Sequence, residues 1–201
     1  MGSKAFSSIQ QATAVEGDPS ESIVASFERV VTACGSRLAV SSSSWRASYD
    51  ELNTTANRVA HAVAGQGGST GDRVAVMMQH DAPQIAAVLG ILKAGRIAVT
   101  LTPSDAPSRL EQLIDDAAPA LILADDNTPH AAAAVASAKA RLVRYADAIS
   151  SGPTHNPALS IPLDATAHLV FTSGSTGRPK GVQQTHGQIL RQTLGYTQAT
   201  E

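Results

Sequence analysis

The stretch from Asp72 to Leu101 constrains the fold most, because it contains a strand, a helix and a second strand within about thirty residues. Val74, Ala75, Val76 and Met77 form an apolar run, and Ile97 to Leu101 forms another; each is short and β-branched enough for a buried strand. Between them Asp81 is placed to cap a helix with Pro83 in its first turn. Ile85, Val88, Leu89 and Leu92 form the stripe expected to pack inward, and Gly95 supplies the stop. Two strands joined by such a helix are parallel neighbours, so a layered parallel sheet with flanking helices, an α/β fold, is predicted.

The rest of the chain extends that unit. A helix is expected from Ser22 to Cys34, ended by Gly35, followed by a strand at Leu38 to Val40, a serine turn and a returning arm at Trp45 to Ala47. Ser48 and Glu51 have capping-box spacing, so a helix begins near Tyr49 and buries Leu52, Ala56, Val59, Ala60 and Val63. Ser104 or Asp105 is expected to open a helix running to Ala117, before a strand at Ala120 to Ala124. An alanine-rich helix at Pro129 to Lys139 and a strand at Leu142 to Tyr145 follow. Ser150 to Pro162 has the composition of an exposed connector leading to a strand at Ala167 to Phe171. Thr185 and Gln188 repeat the capping-box spacing and predict a helix from His186.

Composition excludes several functions. The chain has 43% hydrophobic residues, enough for one sizeable core, and only 3% aromatics. A formal net charge of -2 without a basic block argues against nucleic acid. A single cysteine, Cys34, rules out an internal disulfide, and no histidine spacing marks a metal site. No apolar run is long enough for a membrane span. The first twenty residues lack the apolar core of a secretion signal and read as a disordered tail, with one domain over residues 21–201.

The chemically informative segment is Leu169 to Gly181, LVFTSGSTGRPKG. After the strand, Gly174 and Gly177 allow positive φ and let backbone N–H groups face an anion. The hydroxyls of Thr172, Ser173, Ser175 and Thr176 add hydrogen bonds, and Lys180 adds a positive charge suited to a triphosphate. The nucleoside triphosphatase P-loop is excluded, since its spacing is absent and Lys180 is followed by Gly181 rather than a magnesium-binding hydroxyl. An ordinary surface turn of the same composition remains the alternative.

This segment resembles the signature loop of adenylate-forming enzymes, the superfamily of acyl-CoA synthetases, nonribosomal peptide synthetase adenylation domains and luciferases. Ser48-Tyr49-Asp50-Glu51-Leu52 and Leu92-Lys93-Ala94-Gly95 resemble two earlier family segments, as do Arg109, Leu110 and the stretch from Asp115 to Pro119. Thr100 and Thr102 stand where peptide synthetases usually carry a proline and an aspartate.

The resemblance implies that the chain is the first subdomain of the large N-terminal domain of such an enzyme. A carboxylic acid would attack Mg-ATP, and a thiol, either CoA or the phosphopantetheine of a carrier protein, would take the acyl group. It implies that Thr172, Ser173, Gly174, Ser175, Thr176, Gly177, Lys180 and Gly181 hold the phosphates, with His186 lining the nucleotide or acyl site. No catalytic residue and no metal ligand is assigned, and Lys180 is not the family's catalytic lysine, which belongs near the end of the full protein. On this reading the remainder of the domain is missing from the chain, a cytoplasmic location is expected, and the chain is incomplete for catalysis alone. Two other readings stand beside it: an inert module that binds nucleotide weakly or packs against a partner, and an unrelated phosphate-binding α/β domain.

Overall fold

The computed structural model describes residues 20–126, 140–172 and 179–198. The expected tail, the helix at 129–139 and the heart of the phosphate segment at 173–178 lie outside the described residues.

Five parallel strands dictate the architecture: β3 (Arg73–Met77), β4 (Ile97–Leu101), β5 (Leu121–Ala124), β6 (Arg141–Arg144) and β7 (Thr166–Thr172). With β8 (Lys180–Thr185) they form a six-stranded sheet in the order β6-β5-β3-β4-β7-β8. Strand β8 pairs antiparallel to β7. The sequence reading held no such strand, since Lys180 to Thr185 lacks the apolar run that marks the others.

Alternating side chains divide the sheet into two faces. Val74, Val76, Ala98, Leu121 and Leu123 point to one side, against α1 (Ile23–Cys34), α2 (Tyr49–Gly65), α3 (Ala82–Lys93) and α5 (Tyr145–Ser150). Ala75, Met77, Val99, Leu101 and Ile122 point to the other, against α4 (Pro107–Ala117). After β4 the chain returns across β3, so the strand order reverses between β3 and β4, the place where such sheets open a crevice at their C-terminal edge.

Helix starts follow local chemistry. Ser48 and Glu51 form the reciprocal capping box, which holds the Glu51 carboxyl below its usual range through the Ser48 N–H and then its hydroxyl. Asp81 caps α3, and its pKa is held below the usual range chiefly by the hydroxyls of Ser42 and Ser44, in the turn between β1 (Leu38–Ser41) and β2 (Arg46–Ser48), and then by the Ala82 N–H.

Several expectations need correction. Helix α4 starts at Pro107, with Ala106 as its cap, because proline suits a first helical position and Ser104 and Asp105 precede it in a turn. Tyr145 begins the short helix α5 and does not end a strand. Gly35 does end α1, but in an ordinary right-handed conformation rather than a left-handed one. In α3 the stripe points inward only in part: Leu92 is buried and Val88 packs against the core, but Ile85 is exposed, and Ala82, Ala86, Ala87, Gly90 and Ile91 make most of the buried face. The reason is contact distance. Helix α2 lies so close to α3 that a Cβ on Gly90 would meet Val59 Cβ at 2.5 Å.

Candidate phosphate-binding site

Strand β7 delivers the glycine-rich segment to the C-terminal edge of the sheet, and β8 carries the chain away from it. Thr172 and Lys180 face each other across the last ladder pair, with the Thr172 hydroxyl donating to the Lys180 carbonyl at 3.4 Å. Both side chains are exposed, and Lys180 makes no ion pair among the described residues. Gly181 pairs with Phe171, and a Cβ there would lie 3.1 Å from Leu169 Cδ1, so this glycine lets β8 close over the apolar side chains of β7. Thus Thr172, Lys180 and Gly181 come together at the two ends that bracket the segment. Ser173, Gly174, Ser175, Thr176 and Gly177 lie outside the described residues.

His186 is not brought to that place. Six residues of β8 separate it from the segment, about 20 Å of extended chain, and Thr185 pairs with Thr166 at the opposite edge of the sheet. There His186 is 2% exposed and lines a cleft of about 270 Å³ with Arg96, Ile97 and Leu159. Burial pushes its imidazole pKa down. The helix that follows, α6 (His186–Gln198), also offers no free N–H groups to a phosphate there. Its first two amides donate to Ala165 and Leu163 carbonyls, and Thr185 and Gln188 close the expected box.

Two features escaped the sequence reading. His168 of β7 meets the Thr100 hydroxyl of β4 at 3.0 Å, so each has a partner one strand away. Burial lowers the pKa of His168 as well. Lys93 is the second: its side chain is 0% exposed, its ammonium pairs with Glu28 of α1, and it lies 5.8 Å from the centre of the Phe27 ring. The partners of His168 and Lys93 lie more than sixty residues away, so no local spacing signals either contact.

The model of the AMP-binding enzyme family matches residues 27–201, and the chain belongs to that family. A probable non-canonical nonribosomal peptide synthetase, CymA of Salinispora arenicola, is 38% identical over 169 residues, 84% of this chain and 2% of that protein. Syringomycin synthase SyrB1 of Pseudomonas syringae pv. syringae is 33% identical over 77% of this chain and 25% of its own length. ATP-bound MatB from Rhodopseudomonas palustris superposes with a TM-score of 0.74 at 25% identity, covering 84% of this chain and 36% of its own. The N-terminal subdomain of Klebsiella oxytoca NpsA, at 18% identity and a TM-score of 0.75, shares the fold, over 87% of this chain and 44% of that one. The chain therefore spans only a small part of these synthetases and about a third of the MatB chain. No helix among the described residues is long and apolar enough to cross a membrane.

Proposed function

We propose that this chain is the triphosphate-holding part of an ATP-dependent ligase that activates a carboxylic acid as its acyl-adenylate. One observation carries the reading: Thr172 and Lys180 stand opposite each other at the C-terminal edge of a parallel sheet, the edge where such sheets bind ligands, at the ends of a Ser/Thr/Gly segment. The exposed ammonium of Lys180 attracts the β and γ phosphates, and the hydroxyls and N–H groups from Thr172 to Gly177 orient them. In the reaction a substrate carboxylate oxygen bonds to the α-phosphorus while the bond to pyrophosphate breaks. The chain's own contribution is to position the departing pyrophosphate and spread its charge. Mg²⁺, arriving with the nucleotide, would neutralise part of that charge.

Transfer of the acyl group to a thiol, CoA or a carrier-protein phosphopantetheine, is assigned to polypeptide outside these 201 residues. The relatives support that assignment, since this chain covers a quarter or less of the two synthetases. The test is carboxylate-dependent exchange of labelled pyrophosphate into ATP, measured on this chain and on a longer chain that contains it. The reading expects exchange only from the longer chain, and a loss on Lys180→Ala. Exchange untouched by Lys180→Ala would refute the role of the segment. Exchange by this chain alone would exclude the second reading, an inert module that binds nucleotide weakly or only packs against a partner.

A further inference from the structure

Residues 151–165 form a strap without regular structure that crosses α2 and α3 before entering β7. Composition predicts an exposed connector, yet it is tied down at every few residues. Arg58 donates to the Ile149 carbonyl at 3.2 Å just ahead of it, Asn57 donates to the Thr154 carbonyl at 2.6 Å, and His61 Nε2 meets the His155 carbonyl at 3.0 Å. The centre of this attachment is Asn156. Its Oδ1 accepts from Asn53 Nδ2 at 3.1 Å, from Asn57 Nδ2 at 2.9 Å and from Lys93 Nζ at 3.1 Å. Asn53 and Asn57 are held here through their amide N–H groups, and their own Oδ1 atoms are buried without a partner among the described residues.

A buried ammonium is a poor way to gain stability, because an apolar side chain of similar size avoids its desolvation. What it supplies is geometry. Lys93 joins Glu28 in α1, its own helix α3 and Asn156 in the strap, three segments more than sixty residues apart in pairs that involve it. The strap's far end is fixed too, since Gly187 N–H donates to Leu163 O at 2.9 Å and His186 N–H to Ala165 O at 3.1 Å. Those bonds close the base of the β7–β8 hairpin, whose tip bears the phosphate segment.

The hairpin's ladder to the body of the domain is short. Strand β7 pairs with β4 at two positions only, Ala98 with His168 and Val99 with Leu169, aided by the Thr100–His168 bond. Ala167 and Leu169 are buried in the core on either face, and the strap is a further attachment. We propose that Lys93 is a positioning residue: by gripping Asn156 it fixes the strap that hangs the β7–β8 hairpin, and with it the phosphate segment, on the domain. The nucleotide part of this inference rests on the proposed function; the mechanical part does not.

Hydrogen exchange of the whole chain tests the mechanical part, with Asn156→Ala as the primary variant because Asn156 is only half-buried and its loss leaves the core intact. Exchange at Val170 and Val182 of the hairpin should rise about tenfold or more, while Val74 to Val76 in the central strand keep wild-type protection. Lys93→Met should give the same pattern, and the double variant should add nothing further. Equal loss of protection in β3 and the hairpin would overturn the proposal, and so would a loosened strap with an unchanged hairpin. Titration with Mg-ATP supplies the second arm: binding should weaken in Asn156→Ala at unchanged β3 protection. If the wild-type chain binds no ATP, the proposed function fails while the exchange arm still decides the latch.

Discussion

The close packing of Gly90 of α3 against Val59 and the Ala56 carbonyl of α2 allows a sharp test with Gly90→Ala. An added methyl would start 2.5 Å from Val59 Cβ, 2.6 Å from its Cγ1 and 2.7 Å from the Ala56 oxygen. Relief needs the two helices to part by about 1 Å, which forfeits a quarter to a half of the dispersion across that contact. Overpacking of this kind costs about 1–3 kcal/mol, and the better helix propensity of alanine returns at most about 1 kcal/mol. The net loss is about 1.5 kcal/mol, or about 3–6 °C in Tm for a chain of this size. Gly65→Ala is the matched control: a Cβ at Gly65, the last residue of α2, meets nothing within 4 Å. Propensity acts alone there, and the variant should be neutral or more stable by up to about 1 kcal/mol. Thermal denaturation followed by circular dichroism compares the two. Gly90→Ala at or above the wild-type Tm would refute the account of α2–α3 packing and of why the outer face of α3 stays exposed.

Three further outcomes are expected. His168 and His186 are both held below the usual histidine range by burial, so the unfolded chain takes up protons first as pH falls below about 6.5, and stability present above that pH is lost on acidification, by up to about 1.4 kcal/mol per pH unit for each. Urea titrations between pH 7.5 and 5 should show this slope, and His186→Gln should flatten it; a slope unchanged in that variant would count against it. Thr100→Val removes the partner of His168 and should cost about 1–3 kcal/mol, with a shifted His168 ring signal; wild-type stability would mean that the 3.0 Å contact carries nothing. Ser48→Ala removes the hydroxyl that accepts from the Glu51 N–H, and should lower stability by about 1 kcal/mol through α2.

What was legible in the sequence was local. The Ser48–Glu51 and Thr185–Gln188 boxes, the Asp81 cap and the apolar runs of β3, β4, β5 and β7 are set by residues within a few positions of one another, and they stand where expected. Helix α3 shows the limit. Apolar residues surround most of it, so periodicity identifies a helix without saying which face another helix will approach, and Gly90 made that choice. Strand β8 was hidden because its glycine and glutamines have no strand signature, and its state comes from pairing with β7. Strand β8 also hid how far His186 lies from the phosphate segment, since its six extended residues carry the chain to the other end of β7. Lys93 was read as part of a family segment, but its role depends on Glu28 and Asn156, sixty-odd residues away on either side.

The central claim is that this chain holds a triphosphate at the end of β7. The most direct measurement is an Mg-ATP titration of the isotopically labelled chain, following the amides of Thr172, Lys180 and Gly181 together with those of His186 and Gly187. The account predicts saturable shifts at the first three, absent in Lys180→Ala, and no change at the opposite edge. Shifts confined to His186 and Gly187, or no shift at any nucleotide concentration in a folded chain, would contradict it.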